Sequence, residues 1–486
     1  MLASMFLAAL EATAVATAMP TVVAELGNVE RYSWAFSAYL LTSTTTVPLY
    51  GKLADLYGRK RIFNIAVVLF IAGSALCGLS GSFAQLILFR AIQGLGAGGV
   101  MPVSVTIIGD IYTLEERGRV QGLFSAVWAV ASLIGPAVGG IVTDLASWRW
   151  VFYFNLPFGV LAAVMVHRFL AEEETRREHR LDVAGTLLLT LGVLLLLLAL
   201  QEGTAAWGWT DVRTLAAFAG AVAALAVFLR QELAAPEPML PLDLFRDRLM
   251  AVASLGAVVL GTLLFSLTAY VPMFVQGVLG GTASEAGATL MPMSLGWPIA
   301  STLAGWLLLR TGYRSLMVFG AAIAFGGCLL LAGLDAASSR SDVMLAMLVV
   351  GVGLGFVSTP YIVAVQTAVP RDRRGVATSA QQFFRTIGGA IAVAVFGGVL
   401  NAYLLREAGT GISVQSALDR TVRGSLDPER LSHLVVGLGA GLHAIYLAAA
   451  VVALGGVVIA LLFPGGSAVS LAHRDEQAPM PGGAGH

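Results

Sequence analysis

Two ionisable residues stand inside runs that are otherwise apolar or small. Glu11 lies in MFLAALEATAVATAMP and Arg90 lies in LILFRAIQGLGAGG. With Pro20 closing the first run and Phe83 opening the second, a rise of about 1.5 Å per residue puts both side chains roughly 10–13 Å below the same end of their helices. A lone charge at that depth in a membrane costs about 3 kcal/mol or more, so such residues normally face a cavity and have partners. A carboxylate beside a guanidinium can take up and release a proton as its surroundings change, and a proton and a cargo molecule can then compete for one acid. The plainer readings are a fixed salt bridge for Glu11 and an outward-snorkelling side chain for Arg90. Gln93 follows Arg90 by three residues, on the same helical face, where it can support the guanidinium. Arg385, in QQFFRTIGG, is the other base in an apolar run. It either lines a cavity or ends near a membrane interface.

The segment GKLADLYGRKR (51–61) is polar between two apolar flanks. Gly51 and Gly58 bracket it and permit a sharp reversal. Asp55 can sit against the positive N-terminal end of another helix, with Arg59 among the bases beside it; a solvated loop is the plainer alternative. In SLIGPAVGG, Ala131, Gly135 and Gly139 recur every fourth residue, next to Pro136 and Gly140. Such spacing lets helix backbones approach closely, and the proline can bend the span. Gly296, Ala300 and Ala304 form a comparable stripe; the two are expected to meet and seal the outer half of a pathway, with generic packing as the alternative. Trp34, Tyr39, Gln93, Trp128, Tyr270, Phe274, Met293, Trp297, Phe384 and Arg385 are candidate lining of a permissive cavity, through cation–π contacts and adaptable methionine packing. Each aromatic, taken singly, suits a lipid-facing or interfacial place equally well.

The elements that must position these residues follow from composition. Of 486 residues, 57% are hydrophobic and 12% charged, where a soluble domain carries about 25% charge. Apolar runs of about 20 residues recur along the whole chain, and backbone groups in lipid must be satisfied within the segment, which selects helices. The expected fold is an all-α membrane protein of fourteen transmembrane helices, at 1–20, 33–50, 62–80, 83–109, 120–143, 150–168, 183–200, 214–230, 249–277, 286–309, 316–334, 343–367, 376–400 and 432–463. Arginine and lysine concentrate in the loops that are inside when the N-terminus is inside, which places both termini in the cytoplasm. No basic region followed by a small-residue cleavage site opens the chain. Span 1 begins almost at Met1, which suggests a natural start further upstream. Cys77 and Cys328 both fall within spans and read as small buried residues rather than a disulfide or metal site. Arginine almost to the exclusion of lysine fits a GC-rich bacterial genome, hence a bacterial cytoplasmic membrane.

The chain also repeats itself. Gly51 and Gly58 are matched by Gly305 and Gly312, GLGAGGV (94–100) by GVGLGFV (351–357), and Arg117-Gly118 by Arg374-Gly375, all at offsets of 254 to 257. Residues 171–248 have no counterpart. The expected layout is two pseudo-symmetric six-helix bundles, 1–170 and 249–463, around a two-span insert with linkers, and a disordered cytoplasmic tail from 464 to 486. Repeats of this kind are a transporter architecture with the binding site between the halves.

Several segments resemble signatures of the major facilitator superfamily. GKLADLYGRKR is similar to its loop between spans 2 and 3, LILFRAIQGLGAGG to its span 4 motif, and SLIGPAVGG to its span 5 antiporter motif. ALEATAVATAMP (9–20) and WRWVFYFNLPFG (148–159) resemble segments of the fourteen-span drug:proton antiporters. The resemblance implies export of lipophilic compounds by alternating access, with the proton as coupling ion and no other cofactor. It also implies that Asp55 latches onto the helix after RDRRG (371–375). That branch usually has aspartate where Glu11 stands. With one intramembrane acid, few protons per cycle and a cationic or neutral cargo are expected, handled by a monomer. A lipid or hydrophobic-metabolite exporter, or a proton-independent solute transporter, is the alternative within this fold.

Other classes fit poorly. The six histidines are scattered, and no HExxH, cysteine cluster or serine elbow suggests an enzyme. No attached soluble domain points to a sensor, no basic patch to nucleic acid, no filter sequence to a channel, and no Walker loop to ATP.

Overall fold

The computed structural model describes residues 1–26, 32–170, 182–205, 207–235, 238–408 and 427–465. The linker at 171–181 and the tail expected to be disordered, apart from residues 464 and 465, lie outside them. The described residues are helical and contain no strand. The helices are α1 (Leu2–Leu26), α2 (Tyr32–Tyr57), α3 (Arg59–Gly78), α4 (Phe83–Ile111), α5 (Leu114–Leu145), α6 (Arg149–Tyr153) and α7 (Asn155–Phe169). They continue with α8 (Val183–Ala205), α9 (Val212–Ala234), α10 (Arg248–Gly277), α11 (Ala283–Thr311), α12 (Tyr313–Ala332), α13 (Arg340–Thr367), α14 (Arg374–Ala408) and α15 (Pro428–Leu462).

Among the described residues, ten helical segments are long and apolar enough to cross a membrane: α3, α4, α6 with α7, α8, α9, α10, α12, α13, α14 and α15. α1, α2, α5 and α11 are comparably long, at 25, 26, 32 and 29 residues. Large apolar side chains such as Leu187, Val222, Phe319 and Val451 are exposed, as expected where the surrounding solvent is lipid. Polar residues mark the helix starts. Thr113 with Glu116, Thr282 with Glu285, and Ser339 with Asp342 form reciprocal capping boxes at α5, α11 and α13, satisfying N–H groups that the first turn leaves free.

Two packing sets mirror one another. α4 packs on α2 and α3, while α13 packs on α11 and α12; α2 crosses to α14, and α5 crosses to α11. α8 and α9 pair together, with α8 also resting on α2 and α14.

Two expectations need correction. The reversal at 51–61 involves Gly58 alone: its φ of 92° is a left-handed conformation that favours glycine. Gly51 lies inside α2, where an added Cβ would stand 2.0 Å from the Ser379 hydroxyl and 2.6 Å from the Gly375 carbonyl. Its smallness serves close approach to α14, not a turn. The stripe on α11 also faces elsewhere. Gly296 abuts Leu348 and Val352, and Ala300 abuts Gly355, so this face packs on α13. The α5–α11 contact is made by Gly118 against Gly305 and Gly122 against Thr302.

Candidate functional site

Glu11 and Arg90 are 1% and 3% exposed and form a direct ion pair between α1 and α4. Arg90 is held further: Nε donates to the Ala35 carbonyl at 3.0 Å, and Nη1, the nitrogen that meets Glu11, also donates to Gln93 Oε1 at 2.8 Å. Its guanidinium lies 4.3 Å from the Tyr39 ring centroid, an arrangement that favours a cation. The second Glu11 oxygen accepts from Asn155 Nδ2 at the start of α7. Asn155 also donates to Ser74 Oγ at 3.0 Å, and Ser74 donates to the Phe152 carbonyl at 2.8 Å. One acid thus ties α1 to α4 and α7, with α3 supporting the asparagine. Asn155 Oδ1 and Gln93 Nε2 are buried without a hydrogen-bond partner among the described residues, so the network retains unused polar capacity.

A second polar cluster joins the ends of α2, α4, α13 and α14. Asp55 accepts from the Gly375 and Val376 amides at 3.0 and 2.8 Å. These are first-turn N–H groups of α14, which lack acceptors in their own helix, and the helix dipole favours the carboxylate there. Arg59 holds Asp55 at 2.9 Å and reaches Asp110 with Nε at 2.9 Å. Asp110 also meets Arg374 at 3.2 Å and Arg371 at 3.9 Å. Arg374 donates to the Gln366 carbonyl at 2.9 Å and the Gly109 carbonyl at 3.1 Å, and Gln366 Nε2 donates to the Val105 carbonyl at 2.9 Å. This end of the protein is therefore shut by a continuous polar lock.

Between the two helix sets lies a small cavity of about 50 Å³. It is lined by residues of α4, α5, α10, α13 and α14, among them Met101, Gln121, Leu260, Ile362, Thr378, Gln381 and Arg385.

The sequence as a whole agrees with this architecture. The Major Facilitator Superfamily model matches residues 1–393. The multidrug transporter protein MdtP of Bacillus subtilis (strain 168) is 39% identical over 399 residues, covering 82% of this chain and 74% of that protein. Multidrug resistance protein 3 of the same organism is 35% identical over 399 residues, 82% of this chain and 78% of its own length. The chain belongs to the major facilitator superfamily. The crystal structure of the human organic anion transporter MFSD10 (TETRAN) shares the fold at a TM-score of 0.61 and 13% identity, over 93% of this chain and 97% of that one. As a member of the superfamily, the protein is a multi-pass membrane transporter and not an enzyme.

Within this transporter fold, the expected site residues fall in distinct places. Glu11, Arg90, Gln93 and Tyr39 converge on one buried cluster; Asp55, Arg59 and Gly51 converge on the lock. Of the ten expected cavity residues, Arg385 lines the cavity described here and the other nine do not. Their side chains are engaged in packing elsewhere. The Tyr270 hydroxyl donates to the Val393 carbonyl at 2.5 Å, joining α10 to α14. Trp297 donates to Ser358 Oγ at 3.1 Å, joining α11 to α13. Phe274 packs on Tyr446 and Phe384 on Phe245, at ring-centroid distances of 6.0 and 5.7 Å. Met293 backs onto Gly351, Trp34 packs on the large apolar core, and the Trp128 indole N–H is buried. Gly135 and Gly139 are buried in α5, which continues as helix through Pro136 and Gly140. Glu11 is likewise absent from the cavity lining. In this conformation a cargo molecule in the cavity does not meet that acid.

Asn155, Ser74, Asp110 and Gln366 are polar residues that reading the sequence did not single out, and Arg374 was noted only as part of the repeat. Asn155 was detectable as the lone amide in VFYFNLPFG, and Asp110 as an acid closing span 4.

Proposed function

We propose that the protein is a proton-coupled multidrug efflux transporter that exports lipophilic compounds by alternating access. Fourteen spans carry it: the ten apolar segments together with α1, α2, α5 and α11, each long enough to cross at about 1.5 Å per residue. Residues 1–170 and 249–463 form two six-span halves, with α6 and α7 making one broken span. Residues 171–248 form the insert, and residues 464–486 form a cytoplasmic tail. The lock lies at the cytoplasmic face of a bacterial inner membrane, as the loop arginines favour, and the protein works as a monomer. The names of its relatives as multidrug transporters and efflux pumps support the export reading.

The observation that carries proton coupling is the buried Glu11–Arg90 pair with Asn155 on its free oxygen. Protonating Glu11 removes the charge that holds Arg90 and loosens the tie between α1, α4 and α7. α1 also packs along α5, and α5 meets α11, so the change reaches the interface between the halves. Proton and cargo then act at separate places, each shifting the same conformational equilibrium by its difference in affinity between the two states. In everted membrane vesicles, Glu11→Gln is expected to abolish dye accumulation driven by a pH gradient while leaving energy-independent dye counterflow. Gradient-driven accumulation at the wild-type rate in that variant would remove Glu11 as the coupling acid.

A further inference from the structure

The cavity between the helix sets holds a base without an acid. Arg385 Nε is buried and has no hydrogen-bond partner among the described residues. Its Nη2 makes a weak contact with Met101 Sδ at 3.9 Å. Among the described residues, no aspartate or glutamate lines the cavity. The Thr378 hydroxyl, two turns earlier on α14, is also buried, also without a partner, and also lines the cavity. A threonine in a helix usually has its own helix's carbonyl as a ready acceptor, so an unpaired hydroxyl here is an unspent hydrogen-bonding group.

The position of Arg385 is fixed by its backbone. An added Cβ on Gly261 would stand 1.8 Å from the Arg385 carbonyl oxygen, and Thr262 donates to the Gly388 carbonyl at 3.2 Å. α10 and α14 are thus in backbone contact beside the arginine, which limits where its side chain can go. The other walls mix apolar residues, among them Met101, Leu260 and Ile362, with the neutral amides of Gln121, Gln381 and Gln382. An unpaired cation in such surroundings is costly unless a counter-charge arrives. Glu11 cannot supply it from its place in the separate cluster with Arg90 and Asn155.

We propose that this cavity binds its cargo through an anionic group, held by Arg385 and the Thr378 hydroxyl, with the apolar remainder of the molecule against Met101, Leu260 and Ile362. The inference rests on the reading of this cavity as a cargo site of an exporter. It reverses the expectation of a cationic or neutral cargo, which treated Glu11 as the charge that cargo meets. A guanidinium matches carboxylate, sulfonate and phosphate alike, and the walls select an amphipathic molecule over an inorganic ion.

The test is equilibrium binding to the full chain in phosphatidylcholine nanodiscs, with empty nanodiscs subtracted. The probes are pyrene-1-carboxylate, pyrene-1-carboxamide and 1-pyrenemethylammonium. The carboxylate is expected to bind about tenfold or more tightly than the amide, as a charge-assisted hydrogen bond to a desolvated guanidinium implies. Arg385→Gln should bring the carboxylate down to the affinity of the amide, Arg385→Lys should keep part of the preference, and Thr378→Val should weaken carboxylate binding by a few fold. Thermal melts of the three variants report whether each is folded. Equal carboxylate and amide affinities in the wild type, tightest binding of the ammonium, or a preference that survives in folded Arg385→Gln would overturn the proposal. If protonophore-sensitive dye export persists alongside any of those results, only the anion inference fails. If no probe binds and no export is measured, the export reading fails with it. Adding phosphatidylglycerol to the nanodiscs separates two sources of the same chemistry: competition assigns the site to a lipid headgroup phosphate, and no competition assigns it to a soluble organic anion.

Discussion

α4 and α13 carry the same ladder of three glycines, and the two ladders make matching contacts. Gly94 and Gly98 face α2 at Thr42 and Thr46, while Gly96 faces Phe70 of α3. In the second repeat, Gly351 and Gly355 face α11 at Met293 and Trp297, while Gly353 faces Ala324 of α12. The crossings between repeats also match. Gly51 of α2 abuts Gly375 of α14, and Gly305 of α11 abuts Gly118 of α5. Shape has been kept across the repeat, but at three positions charge has not. Where the first repeat has Arg90, Asp55 and Arg59, the second has Met347, Leu309 and Tyr313.

The difference has a local cause. α14 begins at Arg374, so the Gly375 and Val376 amides fall in its first turn and accept Asp55 as their partner. α5 begins at Leu114 behind its Thr113–Glu116 box, so the Gly118 amide lies past the first turn and belongs to the helix's own ladder. An acid opposite Gly118 would find no first-turn amide free to receive it. One crossing can therefore be locked electrostatically, and the other works through contact alone.

Four substitutions probe that contrast, taken here in descending order of effect. Leu309→Asp, which copies the acid into the second repeat, should create no second lock and should destabilise the protein by about 2–3 kcal/mol, since the new carboxylate is partly buried without a helix-start amide to cap. A lowered melting temperature in detergent would bear this out, and an unchanged or raised one would break the comparison. Asp55→Asn should weaken the α2–α14 crossing by about 1–2 kcal/mol through loss of the charge-assisted cap. That is roughly a tenfold rise in the population open at the lock, measurable by thiol labelling of a cysteine placed at Gln366. Unaltered labelling would leave the lock without an energetic role. Gly58→Ala and Gly312→Ala should each cost about 1 kcal/mol and by the same amount, because both glycines hold positive φ, 92° and 78°. Unequal melting shifts would show that the two turns are not equivalent.

Much of this arrangement was legible in the sequence. Glu11 and Arg90 stood out because each interrupts an apolar run, and their equal depth from Pro20 and Phe83 anticipated their pairing. Asp55 was legible as a candidate cap, but its partner came from family resemblance rather than from spacing. The small-residue stripes announced close helix contact without naming the partner, since Gly296 and Ala300 suit α13 as well as α5. The cavity was the least legible part. Met101, Gln121, Thr378 and Gln381 come together only through the crossing of α4, α5, α10, α13 and α14. The aromatic residues expected there are instead used as braces between helices.

Asp110 is shared among Arg59, Arg371 and Arg374, which come from both repeats. When one guanidinium withdraws, the carboxylate's attraction is left to the remaining two, so partial release gains little until all three part company. Such a junction ties both repeats to one charge. Dissolved ions that weaken these attractions would shorten its closed dwell time whatever molecule is being carried.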